Sequence, residues 1–140
     1  MPSGPLSNLA RHLVLGRSGE DAAVRHLRDH GLRVLARNWS KRRLEIDIIC
    51  EDGDTLVFAE VKTRAPDSRG NPSDALDLSK RTKLAKAAAL YLSEHDLWHV
   101  PCRFDLLSVV PCEGSFTVRH LKNAFTLDDI KGAARFWQPF

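Results

Sequence analysis

Leu44-Glu45-Ile46-Asp47-Ile48-Ile49-Cys50-Glu51, then Asp52-Gly53-Asp54-Thr55, then Leu56-Val57-Phe58-Ala59-Glu60-Val61-Lys62-Thr63: this stretch decides the fold. Apolar residues recur at every second position on both sides of the turn-forming Asp52-Gly53-Asp54, the pattern of two strands joined as a hairpin. On the first strand Leu44, Ile46, Ile48 and Cys50 are expected on one face, with Glu45 and Asp47 on the other. On the second strand Leu56, Phe58, Glu60 and Lys62 share a face, and Val57, Ala59 and Val61 share its opposite. Charged groups thus interrupt strands that are otherwise apolar. Pairing through the turn brings Asp47 near Glu60 at the far end, provided the register does not slip by one residue and invert a face.

Working outward, Ser18 is a helix cap, the helix runs to about Asp29, and Gly31 stands where it stops. An earlier helix is expected over Ser7 to Leu15, and a first strand over Leu32 to Asn38. Downstream, Ala65 to Ser73 holds Pro66, Gly70 and Pro72 and reads as a loop. A helix from Leu78 to Glu94 follows, with Ala85, Ala88 and Leu92 on one face. Two more strands, Arg103 to Val110 and Phe116 to Leu121, make a second hairpin. Helix, three strands, helix and two strands give an α/β fold with a mixed central β-sheet flanked by helices. The second helix is long enough to be a crossover, so the strands on either side of it are expected to run parallel. A single domain is expected over residues 1–126, its core about 16–121, with residues 127–140 a tail whose aromatic end, Phe136 to Phe140, docks or frays.

The chain has 140 residues, 43% of them hydrophobic, enough for one core without disulfides or a structural metal. Its apolar runs fall far short of the roughly 20 residues of a membrane span, and Met1 to Arg17 carries no continuous apolar signal segment. No membrane partner and a cytoplasmic location are the expectation. Cys50, Cys102 and Cys112 are an odd set without framework spacing and read as reduced, mostly buried thiols. His95, His99, Cys102 and Cys112 match no paired-ligand zinc spacing. A net charge of +3 permits a polyanionic partner without requiring one. Two segments are basic and acid-free: Arg37, Lys41, Arg42 and Arg43, and Lys80, Arg81, Lys83 and Lys86. Either is a solvated surface or a phosphate-binding one. Trp39 and Trp98 pack or stack on bases, and Arg103-Phe104-Asp105 reads as a structural tie between strands, with Asp105 paired to an arginine or capping a turn.

Glu20 precedes Ala23, Val24 and Leu27 by three, four and seven residues, and so continues the helix face that packs on the sheet. With Asp47 and Glu60 it makes three carboxylates, expected to converge with Lys62 at one edge of the sheet. Such a set repels itself unless a cation sits among it, and an all-oxygen donor set favours Mg²⁺ or Mn²⁺ over zinc. Taken singly, Glu20 can serve the start of its helix, and Glu60 with Lys62 can be an exposed ion pair.

Asp47, twelve residues, then Glu60-Val61-Lys62 resembles the PD-(D/E)xK nuclease signature, with Glu45 close to the usual proline position. With Gly16, Gly19-Glu20, Asn38, Arg64 and Arg103-Phe104-Asp105, the chain from about Gly16 to Val110 resembles the YraN-like family of small bacterial proteins, which is similar to archaeal Holliday junction resolvases. The resemblance implies a restriction-endonuclease-like core, a catalytic set of Glu20, Asp47, Glu60 and Lys62, and Mg²⁺ (or Mn²⁺) held by Asp47, Glu60 and the Val61 carbonyl. It implies hydrolysis of phosphodiesters in branched or irregular DNA, with Arg37, Lys41, Arg42, Arg43, Arg64, Lys80 and Lys83 on flanking phosphates. Symmetric cutting of a four-way junction needs two sites about a two-fold axis, hence a homodimer. The alternatives are a nucleic-acid-binding module that keeps the fold without turnover, and a purely structural or partner-binding domain.

Overall fold

The computed structural model describes residues 18–65 and 76–137. The expected helix over Ser7 to Leu15, the loop segment 66–73 and the last three aromatic-tail residues lie outside them.

Helix α1 covers residues 18–29, and Ser18 is already helical rather than its cap. Its end is a Schellman motif: Gly31, at φ +85°, donates to the Arg28 carbonyl at 3.0 Å, and Leu32 N donates to the Leu27 carbonyl at 3.0 Å. Leu27 and Leu32 are both buried and close the turn with an apolar contact. Strands β1 (Arg33–Lys41), β2 (Leu44–Asp52) and β3 (Thr55–Thr63) form the meander. Helix α2 (Leu78–Glu94) follows, begun by Asp77, whose side chain accepts from Lys80 N at 2.9 Å. Strands β4 (Cys102–Cys112) and β5 (Ser115–Phe125) complete a five-stranded sheet in the order β1-β2-β3-β4-β5. All neighbours are antiparallel except β3 and β4, which run parallel across the α2 crossover.

Two apolar layers cover the sheet. Ala23, Val24 and Leu27 of α1 pack on Ile48, Cys50, Val57, Ala59, Leu107 and Val109. On the opposite face Leu84, Ala85, Ala88, Tyr91 and Leu92 of α2 pack on Ile46, Ile49, Leu56, Phe58, Phe104 and Leu106. Strict alternation along β2 is therefore corrected: Ile46 faces α2, whereas Ile48 and Cys50 face α1. The reversal falls across Asp47, where β2 parts from β3.

Other boundaries also move. β1 runs on to Lys41, so only Arg42 and Arg43 form the turn into β2, both at positive φ (53° and 65°). β5 continues past Leu121 to Phe125 because a bulge opposite Asp105 resets its pairing: Asn123, at φ 54°, donates its N–H to Asp105 Oδ1 at 3.0 Å. Residues 127–137 dock through two 3₁₀ turns (Leu127–Asp129 and Ala133–Arg135), burying Ile130 and Ala133 against the α2-side core. Trp39 meets Tyr91 and Trp98 meets Trp137 edge to face, so both tryptophans pack. Cys50 is buried and Cys102 half-buried, but Cys112 is exposed, at the tip of the β4–β5 hairpin. Among the described residues no helix is long and apolar enough to cross a membrane.

Candidate functional site

The site is built where the sheet splits. β2 and β3 pair from Asp52↔Thr55 to Ile48↔Ala59 and then separate. β2 stays with β1 as far as Lys41↔Leu44, and β3 stays with β4 as far as Thr63↔Val109. Asp47 and Glu60 are the first residues beyond the last pair. They stand within two interior strands, where β2 and β3 part, which corrects the expectation of a site at the sheet edge. Val61 N–H, left without a strand partner by the split, donates to Asp47 Oδ2 at 2.8 Å. In an extended strand the N–H and C=O of one residue leave on the same side, so the Val61 carbonyl shares the notch.

Asp47 and Glu60 are hydrogen-bonded to each other. Burial pushes the Glu60 carboxyl up to about 7, and the Asp47 charge adds to this while Lys80 and Lys62 oppose it. Burial also raises Asp47; the Val61 N–H works against that, and Glu20 and Glu45 reinforce it. A proton taken up by the pair relieves their repulsion, as a cation would.

Glu20 reaches the same region from α1. Its neighbour Gly19 explains how: a Cβ at Gly19 would run into Thr63 Oγ1 at the end of β3. Glycine lets α1 close on β3 and carries Glu20 toward Asp47. Glu20 Oε1 is buried without a hydrogen-bond partner, its nearest cation being Arg37 Nη2 at 3.6 Å. Among the described residues no three His, Cys, Asp or Glu side chains are gathered into a ready ligand cluster. The donor set nevertheless fits a hard divalent cation: two neighbouring carboxyls, an adjacent backbone carbonyl, and a third carboxylate with an unsatisfied oxygen.

A cleft opens over the pair, lined by Arg43, Leu44, Glu45, Asp47, Glu60, Lys80, Lys83 and Leu84. Of the basic residues singled out in the sequence, Arg43, Lys80 and Lys83 meet at this cleft. Lys62 is exposed, near enough to Glu60 to favour its charged form. Arg64 is half-buried, its N–H on the Val109 carbonyl at 2.8 Å. Arg42 is exposed at the hairpin tip. Arg37 and Lys41 are engaged elsewhere, Arg37 with Asp21 at 2.7 Å and Lys41 with Glu94 at 2.8 Å. The close Gly19–Thr63 approach had no signal in residue spacing alone.

Asp105 belongs to a separate, structural network. Fully buried, it accepts from Arg103 Nε at 3.0 Å and 3.1 Å, from His120 Nε2 at 2.7 Å and from Asn123 N. Burial alone would raise its carboxyl; the His120, Arg103 and Asn123 hydrogen bonds outweigh burial and hold it below the usual range. Arg103 Nη1 also pairs with Asp52 at 2.8 Å, tying the β2–β3 turn to β4.

The chain belongs to Uncharacterised protein family UPF0102, whose family model matches residues 19–109. It is 46% identical over 132 residues to a UPF0102 protein of Nitratidesulfovibrio vulgaris, covering 94% of this chain and 98% of that one. A UPF0102 protein of Lawsonia intracellularis is 39% identical over 127 residues, covering 90% and 96%. One from Bacteroides thetaiotaomicron is 39% identical over 117 residues, covering 84% and 96%. These names state a family and no activity.

Proposed function

We propose that this UPF0102 member is a Mg²⁺- or Mn²⁺-dependent endonuclease with a restriction-endonuclease-like core, of the Holliday junction resolvase type, acting on branched or irregular DNA. The observation that carries the reading is the hydrogen-bonded Asp47–Glu60 pair at the base of a cleft whose mouth is basic. Burying two adjacent acids is costly for stability alone, and lysines beside them suit an anion brought to the same place.

Asp47, Glu60 and the Val61 carbonyl would hold the ion, with Glu20 completing or orienting the set. A bound divalent cation supplies positive charge to the scissile phosphate and an activated water. Lys62 holds a compact positive charge beside Glu60, suited to orienting the attacking water and offsetting charge on the pentavalent transition state. Arg43, Lys80 and Lys83 position the backbone through sequence-independent phosphate contacts, as a structure-selective enzyme needs. Lys80 also favours ionised Glu60, so a filled cleft and a ligand-ready carboxylate go together.

The test is purified protein with Mg²⁺ or Mn²⁺ and labelled linear, flap and four-way-junction DNAs, beside Asp47→Asn and Glu60→Gln. Metal-dependent cutting by wild type, lost in both variants while DNA binding in chelator persists, supports the reading. Full-rate cutting by Glu60→Gln overturns it. No cutting and no Mn²⁺ uptake by calorimetry, with salt-sensitive DNA binding intact, replaces the enzyme with a non-catalytic binding module.

A further inference from the structure

A second basic hollow lies on the other flank of α2, between that helix and the docked C-terminal turns. It is lined by Thr82, Lys86, Lys131, Gly132, Arg135 and Phe136. Three cations converge there and no acid lines it. Among the described residues none of the three is in an ion pair, in contrast to Arg37 and Lys41, which salt bridges occupy. Lys86 Nζ lies 5.8 Å from the centre of the Phe136 ring, a contact that holds the ammonium in place without neutralising it. The backbone carrying the other two is anchored: Ile130 and Ala133 are buried on either side of Lys131, and Gly132 turns the chain at φ +80°. Like charges fixed together repel unless an anion sits among them.

We infer that this hollow binds a second backbone phosphate of the DNA whose first phosphate occupies the cleft; the inference rests on the nucleic-acid reading of that cleft. Helical spacing places the two subsites. At 100° per residue, Lys80 and Lys83 fall on one border of the buried α2 face, and Thr82 and Lys86 fall on the other. The exposed ridge of the helix, where Lys83 and Lys86 are neighbours at i and i+3, runs between them. The subsites therefore flank one helix and lie no further apart than its diameter, roughly 10 Å. That separation is met either further along one strand or across a groove of the duplex, and both put a phosphate in the second hollow.

The experiment is binding of a four-way junction by fluorescence anisotropy in chelator, with neutral methylphosphonate linkages walked one at a time along each strand. Wild type is expected to show two sensitive positions. Lys131→Ala/Arg135→Ala should erase one and make the dependence of log K on log salt shallower by about 0.9 for the phosphate lost. Arg43→Ala/Lys80→Ala/Lys83→Ala should erase the other. Should the alanine pair melt below wild type, Lys131→Gln/Arg135→Gln carries the same test with packing retained. A single sensitive position in wild type, or a second position unchanged in a well-folded pair variant, overturns this subsite and leaves the cleft reading standing. Wild-type binding that ignores salt and every neutral linkage overturns the cleft reading instead.

Discussion

Removing the charge of Glu60 should stabilise the metal-free protein at pH 8. Its carboxyl ionises near 4.5 when unfolded and at about 7 when folded, raised by burial and by Asp47. Between those values the folded state holds the proton that the unfolded state has released, so unfolding free energy falls as pH rises from about 4.5 to about 7, then levels. At about 1.36 kcal/mol per pH unit the full effect is about 3 kcal/mol, an upper figure that water at the half-buried carboxyl reduces. Glu60→Gln keeps the side chain's size and its ability to donate to Asp47 while removing the ionisation. The variant should match wild type near pH 4 and exceed it by about 2–3 kcal/mol at pH 8. Urea unfolding in chelator at the two pH values measures this. His26 acts in the opposite sense, since burial first, then His30 and His120, lower its pKa, and that stability is lost as pH falls below 6.5. Because His26 is present in both proteins it cancels in their difference. A Glu60→Gln protein less stable than wild type at pH 8, or a difference that does not change with pH, would refute the paired-carboxyl account.

Adding Mn²⁺ should reverse that order: at about 1,000 times Kd a ligand bound only by the folded state adds about 4.1 kcal/mol, seen as a raised melting temperature in wild type and absent in Glu60→Gln. Asp105→Ala should cost about 3–5 kcal/mol by urea unfolding, because Arg103 and His120 are left buried without their shared carboxylate. Wild-type stability from Asp105 is full above pH 3.8 and is lost as pH falls below it, so the gap between wild type and Asp105→Ala should narrow in acid. Gly19→Ala should destabilise although alanine favours helix by about 1 kcal/mol, and Thr63→Ala in the same chain should restore most of the loss in a double-mutant cycle. Lys41→Ala should change stability by less than about 1 kcal/mol, its Glu94 pair being open to solvent.

The helices and strands were legible because their signals are local. Seven apolar residues of α2 are buried at helical spacing, and its stated limits, Leu78 and Glu94, coincide with those observed. The β2–β3 register, open to a one-residue slip in the sequence, is settled by the structure: the two-residue Gly53-Asp54 turn sets Asp52↔Thr55 and with it every pair up to Ile48↔Ala59. What alternation does not carry is the point at which two strands stop pairing. Nothing in Leu44 to Cys50 marks Asp47 as the position where β2 turns its faces over, since that depends on β1 drawing one strand away while β4 holds the other. The extension of β5 past a bulge was hidden for a similar reason: it depends on Asp105, eighteen residues from Asn123, filling the gap with its own oxygen.

The candidate acids were visible as charges in the wrong pattern, and the split of the sheet gives that pattern its physical meaning. A central pair of strands that separates must satisfy the backbone groups it exposes. Asp47 does this for Val61 N–H, so one carboxylate both terminates the ladder and faces the notch. Had the ladder continued, Asp47 would lie opposite Glu60 as a like-charged cross-strand pair, unfavourable in any sheet. The split relieves that conflict by parting the two strands into a cleft, and it opens beside the α2 lysines. Asp47→Asn tests the two roles apart: the amide oxygen can still accept from Val61 N–H, so the notch should keep its shape and stability while cation uptake falls. A variant that binds Mn²⁺ as wild type does would leave Asp47 a ladder terminator alone.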